Sequence, residues 1–402
     1  METVTRFAED RWIWACALGC FILAGLTGAV FRFSAGYGVA VGFDLGNVRH
    51  AHSHLMYLGW ATPVLFALIA RQFPGLAGKA RKVIGATLAA ALLAYPLFLA
   101  FGYQPVVLGE ARVPLAAVAA GLNMLVWYVF VGLYVEARRG LAPTRARLLW
   151  DMALAFLFLA TLGAWGLTLL KPLGLDSPVW SRALIHVFLD LFSEGWFVLA
   201  VLGLAYAALR PAGQGGGHWS LWLIGVGLPV TFALGMPVSF VPPALKILAR
   251  LGAMLVAVGL LANVWALWKT PGGGRRALWL LPLFLLVVKL IVQLVVSAWP
   301  GVWWAEMHTL RVLYLHLMLL GFVTLGLVAA ATTVWGRAAT RGGAWMYVAV
   351  LLVIVSLLPL TPLWPMALRG AWVGIAPAWI ALAPPLAAAG MLARSFVRET
   401  QT

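Results

Sequence analysis

The stretch RHAHSHLMYLGW, Arg49 to Trp60, opens an apolar segment with three histidines at alternate positions: His50, His52 and His54. The chain holds only seven histidines, so three within five residues need a physical reason. The apolar run behind them continues to about residue 71. At about 1.5 Å rise per residue it is long enough to cross about 30 Å of hydrocarbon as a helix. Successive helical residues lie about 100° apart. His50 and His54 therefore share a face, and His52 points to a nearly opposite one. One planar ligand cannot use both His52 and His54 from a regular helix. Histidine is expensive inside an apolar span and usually functional there.

The rest of the chain has the same character. Of its 402 residues, 63% are hydrophobic and only 10% charged, with a mean hydropathy of +0.97. Soluble domains are about 45–50% apolar and about 25% charged, so the composition predicts an integral, all-α membrane protein. The formal net charge of +16 would suggest nucleic acid in a soluble protein. In a membrane protein it marks cytoplasmic loops and anionic lipid, and nucleic acid is not a predicted partner. Cys16 and Cys20 lie four apart in the first apolar segment, which allows no disulfide framework and no CxxC metal site. That segment is flanked by Glu9 and Asp10 as well as by Arg6 and Arg11, and is read as a retained helix.

About twelve apolar stretches can span the bilayer, at approximately 12–31, 50–71, 83–102, 113–135, 147–170, 180–209, 219–239, 245–268, 277–298, 307–335, 343–363 and 371–393. Short Gly-, Pro- and charge-rich linkers join them, so residues 1–402 read as a single polytopic domain. With both termini in the cytoplasm, 18 Lys and Arg residues fall on the inner side and nine on the outer. That positive-inside excess predicts a multi-pass protein of the inner (plasma) membrane. In this orientation helices 2, 6 and 10 all begin at the outer face. His54, His186 and His316 then share one depth, within roughly two turns of the outer boundary.

The chain also echoes itself. HLMYLGWAT begins at His54 and HLMLLGFVT at His316. Gly59 and Gly321, five residues after each histidine, leave room for a neighbouring helix or a flat ligand. The echo reads either as convergent helix packing or as two axial ligands facing one b-type heme. Propionates of such a heme need cations at the polar edge, and Arg49, Arg182, Arg311 and Arg369 are available. Helix 6, HVFLDLFSEGWF, places His186, Asp190 and Glu194 on one stripe. The stripe reads as a metal site, a proton path, or a buried network that pairs with Lys289 or Arg182. Lys289, with Gln293 one turn on, needs a carboxylate, and Asp190 and Glu194 are the candidates. His308, beside Glu306 at the outer mouth, reads as interfacial.

These residues resemble the heme–copper oxidase superfamily, the subunit I of terminal oxidases and nitric oxide reductases. Twelve helices with outer-side histidines on helices 2, 6 and 10 are that family's plan. VRHAHSHLMYLGW is similar to the helix 2 heme motif of the C-type oxidases, in which an Arg precedes the ligand by three. That spacing picks His52, whereas the internal echo picks His54, and the echo is followed here: His54 is the expected ligand. YLHLMLLGF is similar to the helix 10 His-x-His motif. Its low-spin heme position is His316, and its high-spin position is taken by Tyr314. Arg369 sits where the family keeps propionate arginines. HSHLM also resembles the HAHEM stretch of NnrS-type nitric-oxide-response proteins. Helix 7, WSLWLIGVGLPVTFALGMPVSF, has no histidine where the family keeps paired copper ligands, so a standard binuclear copper site is not expected.

The resemblance implies a subunit I-like bundle that binds heme b, between helices 2 and 10, for electron transfer or the handling of nitric oxide or oxygen. A respiratory electron donor or other membrane subunits would be its partners. An enzymatic version is a heme-dependent oxidoreductase with a second metal, copper or another, at His186, Asp190 and Glu194. The alternative from another class is a copper or other cation transporter or chaperone that captures its cargo on the outer histidines and passes it inward along His186, Asp190 and Glu194.

Overall fold

The computed structural model describes residues 2–175, 177–209, 217–270, 273–299 and 301–395. Arg210 and Arg398, two of the cations expected on the inner side, lie outside them. The described residues are predominantly helical. Their helices are α1 (Glu2–Tyr37), α2 (Leu45–Ala70), α3 (Leu76–Phe101), α4 (Leu115–Arg138), α5 (Arg145–Leu170), α6 (Pro178–Leu209), α7 (Gly217–Gly227), α8 (Pro243–Trp268), α9 (Gly274–Ala298), α10 (His308–Trp335), α11 (Ala344–Leu360) and α12 (Trp372–Ser395). Ten of these are long and apolar enough to cross a membrane; α7 and α11 are shorter. Large apolar side chains such as Leu93, Trp222 and Val258 stay exposed, as a lipid-facing surface requires. The chain is a multi-pass membrane protein.

The seventh expected span, 219–239, is not one continuous helix. α7 ends at Gly227, and Leu228–Val230, Phe232–Gly235 and Val238–Phe240 follow as short turns of helix. Pro229 and Pro237 each remove a backbone donor from this run, which is why an apolar stretch of sufficient length still breaks. Pro359 lies in the closing turn of α11 in the same way. Elsewhere local chemistry sets the starts. The Asp44 side chain accepts from the Asn47 amide at 3.0 Å and caps α2. Ser177 caps α6 ahead of Pro178. A small hairpin, β1 (Val106–Leu108) with β2 (Ala111–Val113), turns at Gly109 (φ 63°) between α3 and α4.

The described chain forms two compact units, Met1–Leu141 with Leu327–Thr402, and Ala142–Gly326. In the first, α1 is central. Trp14 packs between Trp60 and Trp335, with ring centroids 5.5 Å from each, and donates its indole N–H to the Ala339 carbonyl at 2.8 Å. One end of this unit is closed by charge. Asp10, 2% exposed, accepts from Arg71 at 2.6 Å and from the Trp335 indole at 3.1 Å. Glu9 pairs with Arg71 at 2.8 Å and with Arg81. In the second unit, backbones approach closely at small residues: Gly227 of α7 and Gly252 of α8 pack on each other's carbonyls. Arg145, at the start of α5, is buried against Asn263 and Ser220.

Three helices share a distortion. The backbone widens to a π-helix over Leu55–Ala61 in α2, Leu191–Val198 in α6 and His316–Thr324 in α10. Such turns are rare and frequently mark functional sites.

Candidate functional site

The π segments begin at, or one residue after, the polar residues singled out by sequence. His54 precedes the first, Asp190 precedes the second, and His316 opens the third. Aligned on them, the stretches read HLMYLGWAT, DLFSEGWFV and HLMLLGFVT. The echo therefore has a third copy, in which Asp190 stands at the histidine position and Glu194 replaces a leucine. A search keyed on histidine misses it. The signal that finds it is the leucine one residue on, followed by Gly-aromatic at the fifth and sixth positions.

In the first unit the histidines of α2 divide as helical spacing predicts. His52 turns to α1, where its Nδ1–H donates to the Ala24 carbonyl at 2.7 Å. Gly28 makes the room, because a Cβ there would stand 2.8 Å from the His52 ring. His54 turns to α3 and stacks on Phe98, with centroids 3.8 Å apart. Its Nδ1–H donates to the His50 carbonyl at 2.9 Å, and the Tyr103 hydroxyl donates to its Nε2 at 3.1 Å. His50 shares that face, 4.8 Å from the Tyr103 ring. Gly59 does not open space for a flat ligand: Cys20 of α1 fills it, 2.9 Å from where a Cβ would stand.

In the second unit the polar residues of α6, α9 and α10 meet. Lys289, fully buried, forms an ion pair with Glu194 and donates to the Gln293 side chain at 2.6 Å. The Tyr314 hydroxyl donates to the same Gln293 oxygen at 2.9 Å, and the Lys289 ammonium lies 4.9 Å from the Tyr314 ring centroid. Of the two carboxylates expected for Lys289, it is Glu194 that pairs. Asp190 accepts from the Thr231 hydroxyl at 3.1 Å. His186 is buried against Gly235, where a Cβ would collide with the imidazole. The broken run after α7 thus supplies both Thr231 and Gly235 to α6. His186, Asp190 and Glu194 do not gather into a metal site; among the described residues no three His, Cys, Asp or Glu side chains do. The reason is that Glu194 is committed to Lys289 and Asp190 to Thr231.

His316 follows two residues after Tyr314. Its Nδ1–H donates to the Val312 carbonyl at 2.7 Å. Arg311 gives one N–H to the Ala305 carbonyl at 3.2 Å, and Arg369 one to Thr361 at 2.7 Å. Arg49 and His308 are exposed. Tyr314 spends its hydroxyl on Gln293 rather than offering it to a ligand.

One feature unites His52, His54 and His316. Each imidazole gives its Nδ1 proton to a backbone carbonyl, which fixes the ring and puts the Nε2 lone pair on its other side; in His54 that lone pair accepts from Tyr103. That is the tautomer and the anchoring that histidine ligands of iron and other metals use. A neutral imidazole anchored through Nδ1 is the kind of donor that an axially ligated heme takes. The chain matches no protein-family model and no curated protein sequence.

Proposed function

We propose that the chain is a multi-pass protein of the plasma membrane that binds b-type heme through axial imidazoles, His316 from α10 and a histidine from α2. Its role is electron transfer or the handling of nitric oxide or oxygen, as in the heme–copper oxidase superfamily it resembles. The observation that carries this reading is the shared Nδ1-to-carbonyl anchoring of His52, His54 and His316. A heme held this way supplies reversible one-electron chemistry. The chain's own residues orient the imidazoles and hold their tautomer, and Arg49, Arg311 and Arg369 are the cations for propionates.

On α2 the hydrogen bonds favour His52 over His54, against the register of the echo. Nε2 of His54 already accepts from Tyr103. Among the described residues Nε2 of His52 has no hydrogen-bond partner, and its anchor comes from a separate helix, which is the stiffer support. The spacing from Arg49 points the same way.

The test is optical. The protein is purified in detergent after expression with heme precursor, and heme is counted as the pyridine hemochrome beside a metal analysis. A bis-imidazole spectrum that His316→Ala removes supports the proposal. A colourless protein, or a bis-imidazole spectrum unchanged in His316→Ala, overturns it. Stoichiometric copper without heme would assign the chain to cation transport instead.

A further inference from the structure

On the second unit, away from the polar residues of α6, a groove of about 460 Å³ runs between α7, α8 and α9. Its walls are Trp219 of α7, Val258, Trp265 and Trp268 of α8, and Val287 of α9. From Val258 to Trp268 it follows α8 for about 15 Å at helical rise. Its lining is almost entirely apolar, and Trp219, Val258 and Trp265 remain exposed. A smooth lipid-facing surface needs no such recess.

One end of the groove is cationic. Lys269 follows directly on Trp268 and holds its ammonium 4.9 Å from the centroid of the Trp265 ring. Arg276 donates to the Trp268 carbonyl at 2.9 Å, while its Nε is buried with no hydrogen-bond partner among the described residues. Arg275 beside it is exposed. None of the three forms a salt bridge with a described carboxylate. A long apolar slot with three uncompensated cations and indole rings at its mouth is the complement of one lipid type. Indoles favour the headgroup level, the acyl chain fills the slot, and a phosphate satisfies Arg276.

We propose that this groove is a binding site for an anionic phospholipid, with one acyl chain along Trp219, Trp265 and Trp268 and the phosphate held by Lys269, Arg275 and Arg276. Each cation near an anionic lipid surface is worth about a fivefold gain in occupancy.

The probes are phosphatidylglycerol and phosphatidylcholine, offered together in mixed micelles to the full-length protein, with retained lipid counted by native mass spectrometry. The wild type is expected to retain phosphatidylglycerol with about tenfold preference or more. The triple variant Lys269→Gln, Arg275→Gln, Arg276→Gln loses that preference. Ala262→Trp, which fills the groove from its wall, loses the tightly held lipid of either class, and Val258→Trp does the same from the far end should Ala262→Trp not fold. Retention of the preference in the triple variant, or of the lipid in a folded groove-filled variant, overturns the proposal. Displacement by soluble glycerol phosphate also overturns it, because the ligand would then be a free phosphate. The readout is lipid mass, so its outcome is independent of the heme reading.

Discussion

Lys289→Met removes a charge from the interior of the second unit. Lys289 is fully buried and Glu194 is 8% exposed, so the carboxylate left behind has almost no water to turn to. Gln293 is already engaged, since one amide N–H donates to the Ala253 carbonyl at 2.8 Å and its oxygen accepts from Tyr314. Stranding one partner of a buried pair costs about 3–5 kcal/mol, and at roughly 2–4 °C per kcal/mol for a unit of this size the melting temperature falls by about 6–20 °C. Glu194→Gln keeps the volume and strands the ammonium, so it falls within the same range. The double variant Lys289→Met, Glu194→Gln removes both charges and recovers most of the loss. The assay is thermal unfolding of the four proteins in one detergent, followed by circular dichroism and closed as a double-mutant cycle. A double variant no more stable than the worse single, or a coupling below about 1 kcal/mol, refutes the claim that the two charges exist to neutralise each other.

Other outcomes follow from the same geometry. His316→Ala and His52→Ala abolish the low-spin heme spectrum, whereas His54→Ala keeps at least half of it; equal loss in His52→Ala and His54→Ala would return the assignment to the echo. Gly28→Val places a side chain where the His52 ring stands, with the first carbon only 2.8 Å away, and heme content falls severalfold while the fold survives; an unchanged hemochrome in that variant would show that His52 is not the ligand. Asp10→Asn weakens the charge-assisted bonds from Arg71 and Arg81 at the closed end of the first unit. It costs about 2 kcal/mol or more, read as a lower melting temperature with unaltered heme.

The division of the α2 histidines was legible in the sequence, because a 100° step depends on nothing but the helix. So was the need of Lys289 for a carboxylate, since an unpaired ammonium is untenable in that environment. Hydropathy found the long spans but overrode Pro229 and Pro237: it counts oil and not backbone donors, and so it drew one helix through 219–239. Asp190 escaped the echo because the comparison was keyed on histidine, although the leucine and Gly-aromatic signature was present. The hairpin at 106–113 is carried by Gly109, which the apolar pattern ignores. No local signal could have placed Tyr103 on His54, for that contact joins residues 49 apart. The same holds for Cys20 in the space beside Gly59 and for the lodging of His186 on Gly235.

The π turns in α2, α6 and α10 have a mechanical consequence. A helix with one widened turn carries one residue more than an α-helical ladder of the same length, so its two ends are out of phase with each other. In α2 the N-terminal end aims His52 and His54, while the C-terminal end buries Thr62–Ala70 on every side. The two tasks ask for different rotations of the same rod, and the widened turn separates them. Forcing all of Leu55–Ala61 into an α-helical ladder would swing the histidine end by about 100° relative to the packed end, whereas deleting one residue there would restore the ladder and leave the two ends in their present relation. The direction in which these imidazoles point is thus set by one widened turn of the backbone, apart from the side chains that surround them.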